Sequence, residues 1–96
     1  MKMIYCTYNV SVTDDLQKIL QELEIENYQV FENILAKTSG SVPRLNTPVW
    51  PGMNNSVLIQ LPETSDLQER IQQYNQKTRD DSEKIFCYQW EVEPLN

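Results

Sequence analysis

Three closely spaced prolines near the middle of the chain restrict its folding more than any other feature. Pro43, Pro48 and Pro51 fix their own backbone torsions and lack a donor N–H group, so the segment around them is neither a helix nor a central strand. Trp50 and Arg44 lie in the same segment, and these residue types are enriched at protein interfaces. We therefore interpret this segment as a stiff binding arm or an oligomer clasp.

Hydrophobic periodicity on both sides of the prolines predicts four strands and two helices. The first and last runs alternate with a period of two, and the helices carry apolar residues three and four positions apart. Thr13 is the expected N-cap of the first helix, and Thr64 or Ser65, with Gln68 in the capping-box position, begins the second. In chain order, the predicted elements are a strand at 3–12, a helix from Thr13 to about Glu26, a strand at 28–37, a loop at about 38–55, a strand at 56–61, a helix from about 65 to 78 and a strand at 84–92.

This order is typical of one fold class. Strand, helix, strand, strand, helix, strand is the split βαβ arrangement of an α+β, ferredoxin-like βαββαβ fold, in which an antiparallel four-stranded sheet carries two helices on one face. We expect a single domain over residues 1–96. The uncovered sheet face would carry aromatic and apolar side chains from the first and last strands, so we expect a second copy to pack against it.

Charge and composition exclude several classes of function. The chain has 8 basic and 14 acidic residues and a net charge of -6, so the basic footprint of a nucleic-acid-binding protein is absent and no nucleic-acid partner is expected. No apolar run is long enough to span a membrane, so direct membrane insertion is not expected. A cytoplasmic location with reduced thiols is the prediction.

Cysteine and histidine usage argues against catalysis. The chain contains no histidine, the commonest acid–base residue, and we expect no enzymatic activity and no catalytic residue. Cys6 and Cys87 lie on the first and last strands, which can run close together in this fold, so their thiols are either buried hydrophobic side chains or a pair within bonding or metal-binding reach. No metal site is predicted as the main interpretation.

The proline segment resembles the long loop of small bacterial proteins of the nitrogen regulatory P-II superfamily. Their pattern runs Gly-x-x-Pro-Arg-x-x-Thr-x-x-Trp-Pro-x-x-Asn-Ser. The chain matches it at Gly40, Pro43, Arg44, Thr47, Trp50, Pro51 and Asn54, with Ser56 shifted by one position. The layout of strands and helices is also similar along the whole chain.

The resemblance implies a homotrimer that senses a small-molecule effector at subunit clefts and signals to a partner protein, such as a membrane transporter, through the 38–55 loop. The ligand and any cofactor are left unidentified. The residues that it marks for ligand or partner binding are Arg44, Thr47, Trp50, Pro51, Asn54, Arg79 and Lys84.

One feature departs from that family pattern. The P-II signalling proteins that the chain resembles have glycines at the positions of Thr78, Asp81 and Glu83. Adenine-nucleotide binding in the usual mode is therefore not expected.

An alternative function is metal handling, similar to that of the cation-tolerance proteins of the same superfamily. Cys6, Cys87, Met53 and carboxylates would then bind a soft metal such as copper(I).

Overall fold

The computed structural model describes residues 1–34, 54–62, 66–78 and 83–96 of the chain. In chain order, the elements are β1 (Lys2–Asn9), a 3₁₀ turn (Val10–Val12), α1 (Thr13–Glu22), β2 (Tyr28–Ile34), β3 (Asn54–Leu61), α2 (Leu67–Lys77) and β4 (Phe86–Glu91). Every predicted helix and strand is therefore present, with boundaries that differ at several ends.

The four strands form one antiparallel sheet in the order β2-β3-β1-β4. In the register of β1 with β3, Lys2 lies opposite Leu61 and Asn9 lies opposite Asn54. In the register of β1 with β4, Thr7 lies opposite Phe86. This topology, with two helices, confirms the predicted ferredoxin-like α+β fold.

One face of the sheet is covered by both helices. Alternation along β1 points Ile4, Cys6 and Tyr8 to the same side, as predicted, and all three are buried. They form a single hydrophobic cluster with apolar residues of β3 and of both helices, among them Leu16 of α1 and Leu67 of α2. The helices thus close the core from one side only.

Polar contacts join the two helices at the protein surface. The Tyr74 hydroxyl donates a hydrogen bond to Asp15 Oδ2 over 2.8 Å, and Arg70 pairs with Glu22. Partial burial and this bond to a carboxylate raise the pKa of Tyr74 to about 12. The Arg70 guanidinium lowers the pKa of the Glu22 carboxyl.

The first strand ends three residues earlier than predicted. Asn9 Oδ1 accepts a hydrogen bond from the Ser11 backbone N–H over 2.9 Å, which turns the chain into the 3₁₀ segment. Val10, predicted to share the buried face, is exposed, whereas Val12 is buried. The predicted N-cap at Thr13 is also wrong, because Val12 is the N-cap and makes no side-chain capping bond.

The first helix ends at Glu22 because Glu24, two residues later, has a left-handed backbone conformation. Glu24 has a φ of 56°, its N–H donates to the Gln21 carbonyl, and the Ile25 N–H donates to the Leu20 carbonyl over 2.9 Å. This pair of bonds is a Schellman motif, which normally places glycine at the left-handed position. The helix end was predicted near Glu26 because a glutamate was not expected at the left-handed position of this motif.

The remaining boundaries differ by smaller amounts. β3 begins at Asn54, so the last two residues of the predicted 38–55 loop belong to a strand. α2 has Asp66 as its N-cap, without a side-chain capping bond, which places Gln68 one position too early for the predicted capping box. β4 runs from Phe86 to Glu91 inside the predicted 84–92. Thr64, Ser65 and residues 35–37 lie outside the described segments.

The substitution Glu24→Gly should stabilise the fold. Glycine reaches a positive φ without the steric cost of a Cβ atom, about 1–2 kcal/mol, and this gain exceeds the roughly 0.5–1 kcal/mol of added unfolded-state entropy. We expect the free energy of unfolding to rise by about 0.5–1 kcal/mol in urea denaturation. Glu26→Gly, two residues beyond Glu24, is the matched control and should lower stability or leave it unchanged. A loss of stability in Glu24→Gly would contradict the assignment.

Candidate functional site

The ends of β2 and β3 that flank the predicted loop form a polar end of the sheet. Ile34, the last described residue of β2, lies opposite Asn54, the first residue of β3. Asn9, Asn54 and Asn55 are all buried at this end, and we refer to them as the asparagine cluster. Buried asparagines are uncommon in a sheet, so three of them at one end mark it as a candidate site. Strand alternation places Asn55 on the helix-covered face with Tyr8, and Asn9 and Asn54 on the other face.

Strand register places the members of the asparagine cluster. Asn9 lies opposite Asn54, and Tyr8 lies opposite Asn55. A bulge in β2 between Phe31 and Ile34 brings the Asn33 backbone N–H to within 3.1 Å of Asn55 Oδ1, to which it donates. Asn33 has a φ of 61°, a conformation that asparagine tolerates better than most residues.

Two buried polar atoms near this end lack a partner among the described residues. They are Asn9 Nδ2 and Thr13 Oγ1. Leaving a buried donor unsatisfied costs roughly 1–3 kcal/mol, so native proteins rarely keep one without a reason. Asn9 Nδ2 therefore has hydrogen-bonding capacity for a group that carries an acceptor.

Tyr8 stays protonated beside the asparagine cluster. Burial raises the pKa of Tyr8, and the neighbouring Cys6 adds to the effect, whereas a side-chain hydrogen bond with Asn55 acts in the opposite direction. A neutral hydroxyl and the carboxamides can all donate hydrogen bonds. Tyr8 and the asparagines thus offer donors that carry no negative charge. The Glu32 carboxylate lies close enough to help raise the pKa of Tyr8.

A backbone clamp places Lys84 at the same end. Asn75 of α2 donates from Nδ2 to the Ile85 carbonyl and accepts at Oδ1 from the Ile85 N–H, both over 2.8 Å. Lys84, half-buried, immediately precedes this clamped residue and lies two residues before Phe86, which pairs with Thr7. Lys84 therefore lies level with the end of β1, where Asn9 is found.

The chemistry of these groups suits a small oxyanion. Carboxamide N–H groups and an ammonium are donors, and a charged donor strengthens a hydrogen bond to an anionic acceptor about twofold. Glu83, which is exposed, lies next to Lys84 and reduces the local positive potential. Shape and hydrogen bonding would thus contribute more to recognition than net charge.

The predicted site residues divide into two groups. Asn54 and Lys84 lie at the same end of the sheet, although Asn54 lies in a strand and not in the loop. Five predicted site residues fall outside the described segments: Arg44, Thr47, Trp50, Pro51 and Arg79. The sequence interpretation missed Asn9, Asn55 and Asn75. Asn9 and Asn55 lie at the edges of apolar runs, and Asn75 lies among polar residues of the second helix.

The second sheet face carries the predicted aromatic surface. Its exposed members are Phe31 of β2 and Tyr88 and Trp90 of β4, with 67% of Tyr88 and 45% of Trp90 accessible. Register sets Tyr5 between Tyr88 and Leu58 in the same row. We refer to Tyr5, Phe31, Leu58, Tyr88 and Trp90 as the open face.

The two cysteines are directly opposite each other on β1 and β4, and both are free thiols. Within the described segments, no three histidine, cysteine, aspartate or glutamate side chains come together in a way that could hold a metal ion. Met53 of the copper alternative lies outside those segments. No helix in the described part of the chain is long and apolar enough to cross a bilayer.

The fold of the described residues is that of a ferredoxin-like α+β protein. No protein-family model and no curated protein matches the chain. Solved structures do match it. A protein of Thermus thermophilus, assigned as PII-like and signalling, is 19% identical with a TM-score of 0.59, covering 95% of this chain and 85% of that one.

A second match is CPII of Thiomonas intermedia, a nitrogen regulatory PII-like protein. Its structure bound to ADP, AMP and bicarbonate is 15% identical with a TM-score of 0.64, covering 99% of this chain and 94% of that one. The structure bound to ADP and bicarbonate has a TM-score of 0.66 at 15% identity, covering 95% and 86%. The chain thus has the fold of PII-like proteins, which confirms the resemblance at the level of the fold.

The Asn75 clamp should contribute measurably to stability. Asn75→Ala leaves the Ile85 N–H and carbonyl without their partners, so we expect the free energy of unfolding to fall by about 2–3 kcal/mol. The Ile85 amide should also exchange with solvent faster. Gln76→Ala, at the exposed neighbouring position, is the control and should change stability by less than about 0.5 kcal/mol. Equal effects of the two substitutions would show that the clamp contributes nothing.

Proposed function

We propose that this protein is a PII-like regulatory protein that binds a small molecule and passes the signal to a partner protein through the 38–55 loop. The proposal is a binding role without catalysis, performed by one domain over residues 1–96 in the cytoplasm. The observation that carries it is the position of the asparagine cluster and Lys84. The cluster lies where β2 and β3 flank the 38–55 loop, and Lys84 lies at the same end of the sheet on the other side of β1.

A ligand at this end would contact the loop's anchor points directly. Ile34 and Asn54 are paired, so a ligand that hydrogen-bonds to the cluster acts on the strand residues from which the loop departs and to which it returns. Such a ligand shifts the population between two loop states only by its difference in affinity for them. The partner, for which the family resemblance suggests a membrane transporter, would then recognise one loop state.

The donor chemistry favours an oxyanion as the ligand. Bicarbonate is the first candidate, because a carboxamide and an ammonium can bind its oxygens and because CPII, with the same fold, has been solved with bicarbonate. CPII has also been solved with ADP and AMP bound. The acidic residues at 78–83 are therefore not a sufficient reason to exclude adenine nucleotides as ligands. Both nucleotides therefore belong among the ligands to be tested.

The open face supports a homotrimer. Tyr88 and Trp90 are exposed on a sheet face that the helices do not cover, and a chain of 96 residues buries only about 60–65% of its unfolded surface by itself. Exposed aromatic patches of this kind commonly mark protein–protein contacts. Association through this face would bring the ligand end of one chain near its neighbours and create subunit clefts.

Ligand binding should depend on Lys84. Native mass spectrometry of the wild-type protein with bicarbonate, ADP or AMP should show uptake of up to three ligands by a trimer. In Lys84→Gln, we expect the affinity for at least one of these anions to fall at least tenfold. Lys18→Gln, which removes the same charge from the exposed side of α1, should bind normally. A wild-type protein that remains without ligand in all three solutions would refute the sensing role.

Assembly should depend on the open face. The double substitution Tyr88→Ser/Trp90→Ser should shift the protein from trimer to monomer in native mass spectrometry, because it removes the two largest exposed apolar side chains of β4. Leu95→Ser, which changes an exposed apolar residue beyond the sheet, is the control and should leave the trimer intact. A wild-type monomer at micromolar concentration would contradict the proposed assembly, and a trimeric double variant would place the interface elsewhere.

A further inference from the structure

The two cysteines of the chain occupy one cross-strand position. Cys6 of β1 lies directly opposite Cys87 of β4, and Cys6 is 0% exposed. The same register places Met1 opposite Val92, and the Val92 N–H donates to the Met1 carbonyl over 3.0 Å. Because hydrogen-bonded and non-hydrogen-bonded pairs alternate along antiparallel strands, Cys6 and Cys87 form a non-hydrogen-bonded pair.

A non-hydrogen-bonded pair has the separation that a disulfide requires. Its Cα atoms lie about 4.5 Å apart and its side chains come closer than at the alternate positions. Disulfides span Cα separations of about 4.4–6.8 Å. Cys6 and Cys87 are direct cross-strand partners, so oxidation requires little movement of the strands.

The two thiols differ in their access to solvent. Cys87 is partly exposed and lines a groove of about 270 Å³ between β4 and α2, whose other walls include Gln68, Gln72 and Gln89. Cys6 is enclosed by the core. Contact with Cys87, together with burial, raises the pKa of Cys6 well above its usual range. A reagent in the groove therefore reaches Cys87 first, and Cys6 is protected from outside reagents.

We propose that Cys6 and Cys87 form a reversible thiol–disulfide couple, with Cys87 as the attacking residue, Cys6 as the resolving residue and a low-molecular-weight disulfide as the oxidant. The Cys87 thiol gives up its proton and its sulfur attacks one sulfur of the small disulfide, releasing one thiolate. Cys6 then gives up its proton, attacks the Cys87 sulfur and releases the second thiolate. Both thiolates take up the two protons, so the protein loses two electrons and the small disulfide gains them.

The couple would link the edge strand to the centre of the sheet. β4 carries Tyr88 and Trp90 on the open face, and its first residues lie beside Lys84. A covalent bond between β4 and β1 would fix the register of β4 and, with it, the positions of the open-face aromatic side chains and of Lys84. In a reducing compartment such disulfides are usually transient and serve as sensors, which is consistent with a reversible couple. This inference is independent of the proposed ligand.

The test is to equilibrate the wild-type protein in glutathione buffers of graded oxidising strength, quench with acid, and label free thiols with N-ethylmaleimide in denaturant. Intact mass then counts the labels. We expect a direct change from two labels to none, with no glutathione adduct retained and no intermolecular disulfide on a non-reducing gel. Two glutathione adducts, linked dimers or two labels in the most oxidising buffer would overturn the proposal.

Two comparisons separate a built couple from two incidental thiols. In the same buffers with urea, the disulfide should form with an equilibrium constant at least tenfold less favourable, since the unfolded chain no longer holds the cysteines opposite each other. An equal constant with and without urea would overturn the proposal. In Cys6→Ser, folded protein should retain one glutathione on Cys87, whereas folded Cys87→Ser should retain none; the reverse pattern would overturn the assigned roles.

Discussion

The pairing of β1 with both of its neighbours is the constraint on which the rest of the structure depends. β1 lies between β3 and β4, and its register sets the buried row of Ile4, Cys6 and Tyr8 and, on the opposite side, the open face. A slip of one residue would exchange the two faces and expose the core. The same register sets the asparagine cluster at one end of the sheet and the thiol pair near its middle.

The sequence predicted the elements and their order because these follow from local periodicity. Period-two alternation in the first and last strands and the apolar spacing in the two helices are visible without any tertiary information. The ends were less predictable, because they depend on side chains that act on the backbone. Asn9 ends β1 by bonding to Ser11, and Glu24 ends α1 by adopting a positive φ usually given to glycine.

The candidate site was predicted only in part, for a related reason. Lys84 and Asn54 were selected by resemblance, and the structure places both at one end of the sheet. Asn9 and Asn75 had no distinguishing pattern, since an asparagine beside an apolar run, or among the polar residues of a helix, is ordinary in sequence. Its significance arises only when register and the helix–strand clamp bring its carboxamide to a particular place. Long-range pairing, which local sequence does not encode, therefore accounts for most of the missed residues.

Recognition of an anion by a chain of net charge -6 requires local donors that outweigh the overall field. In the proposed site, buried carboxamides would fulfil this requirement, because hydrogen bonds that they donate in a region of low dielectric constant are strong. A single half-buried ammonium then adds charge at short range. Specificity in such a site comes from the number and direction of acceptors on the ligand.

β4 is the element that connects this chemistry to the rest of the molecule. This short strand follows Lys84, contains Cys87 of the thiol pair and carries the aromatic side chains Tyr88 and Trp90 of the open face. Any change that alters the pairing of β4 with β1 would therefore affect Lys84, the thiol pair and the open face together.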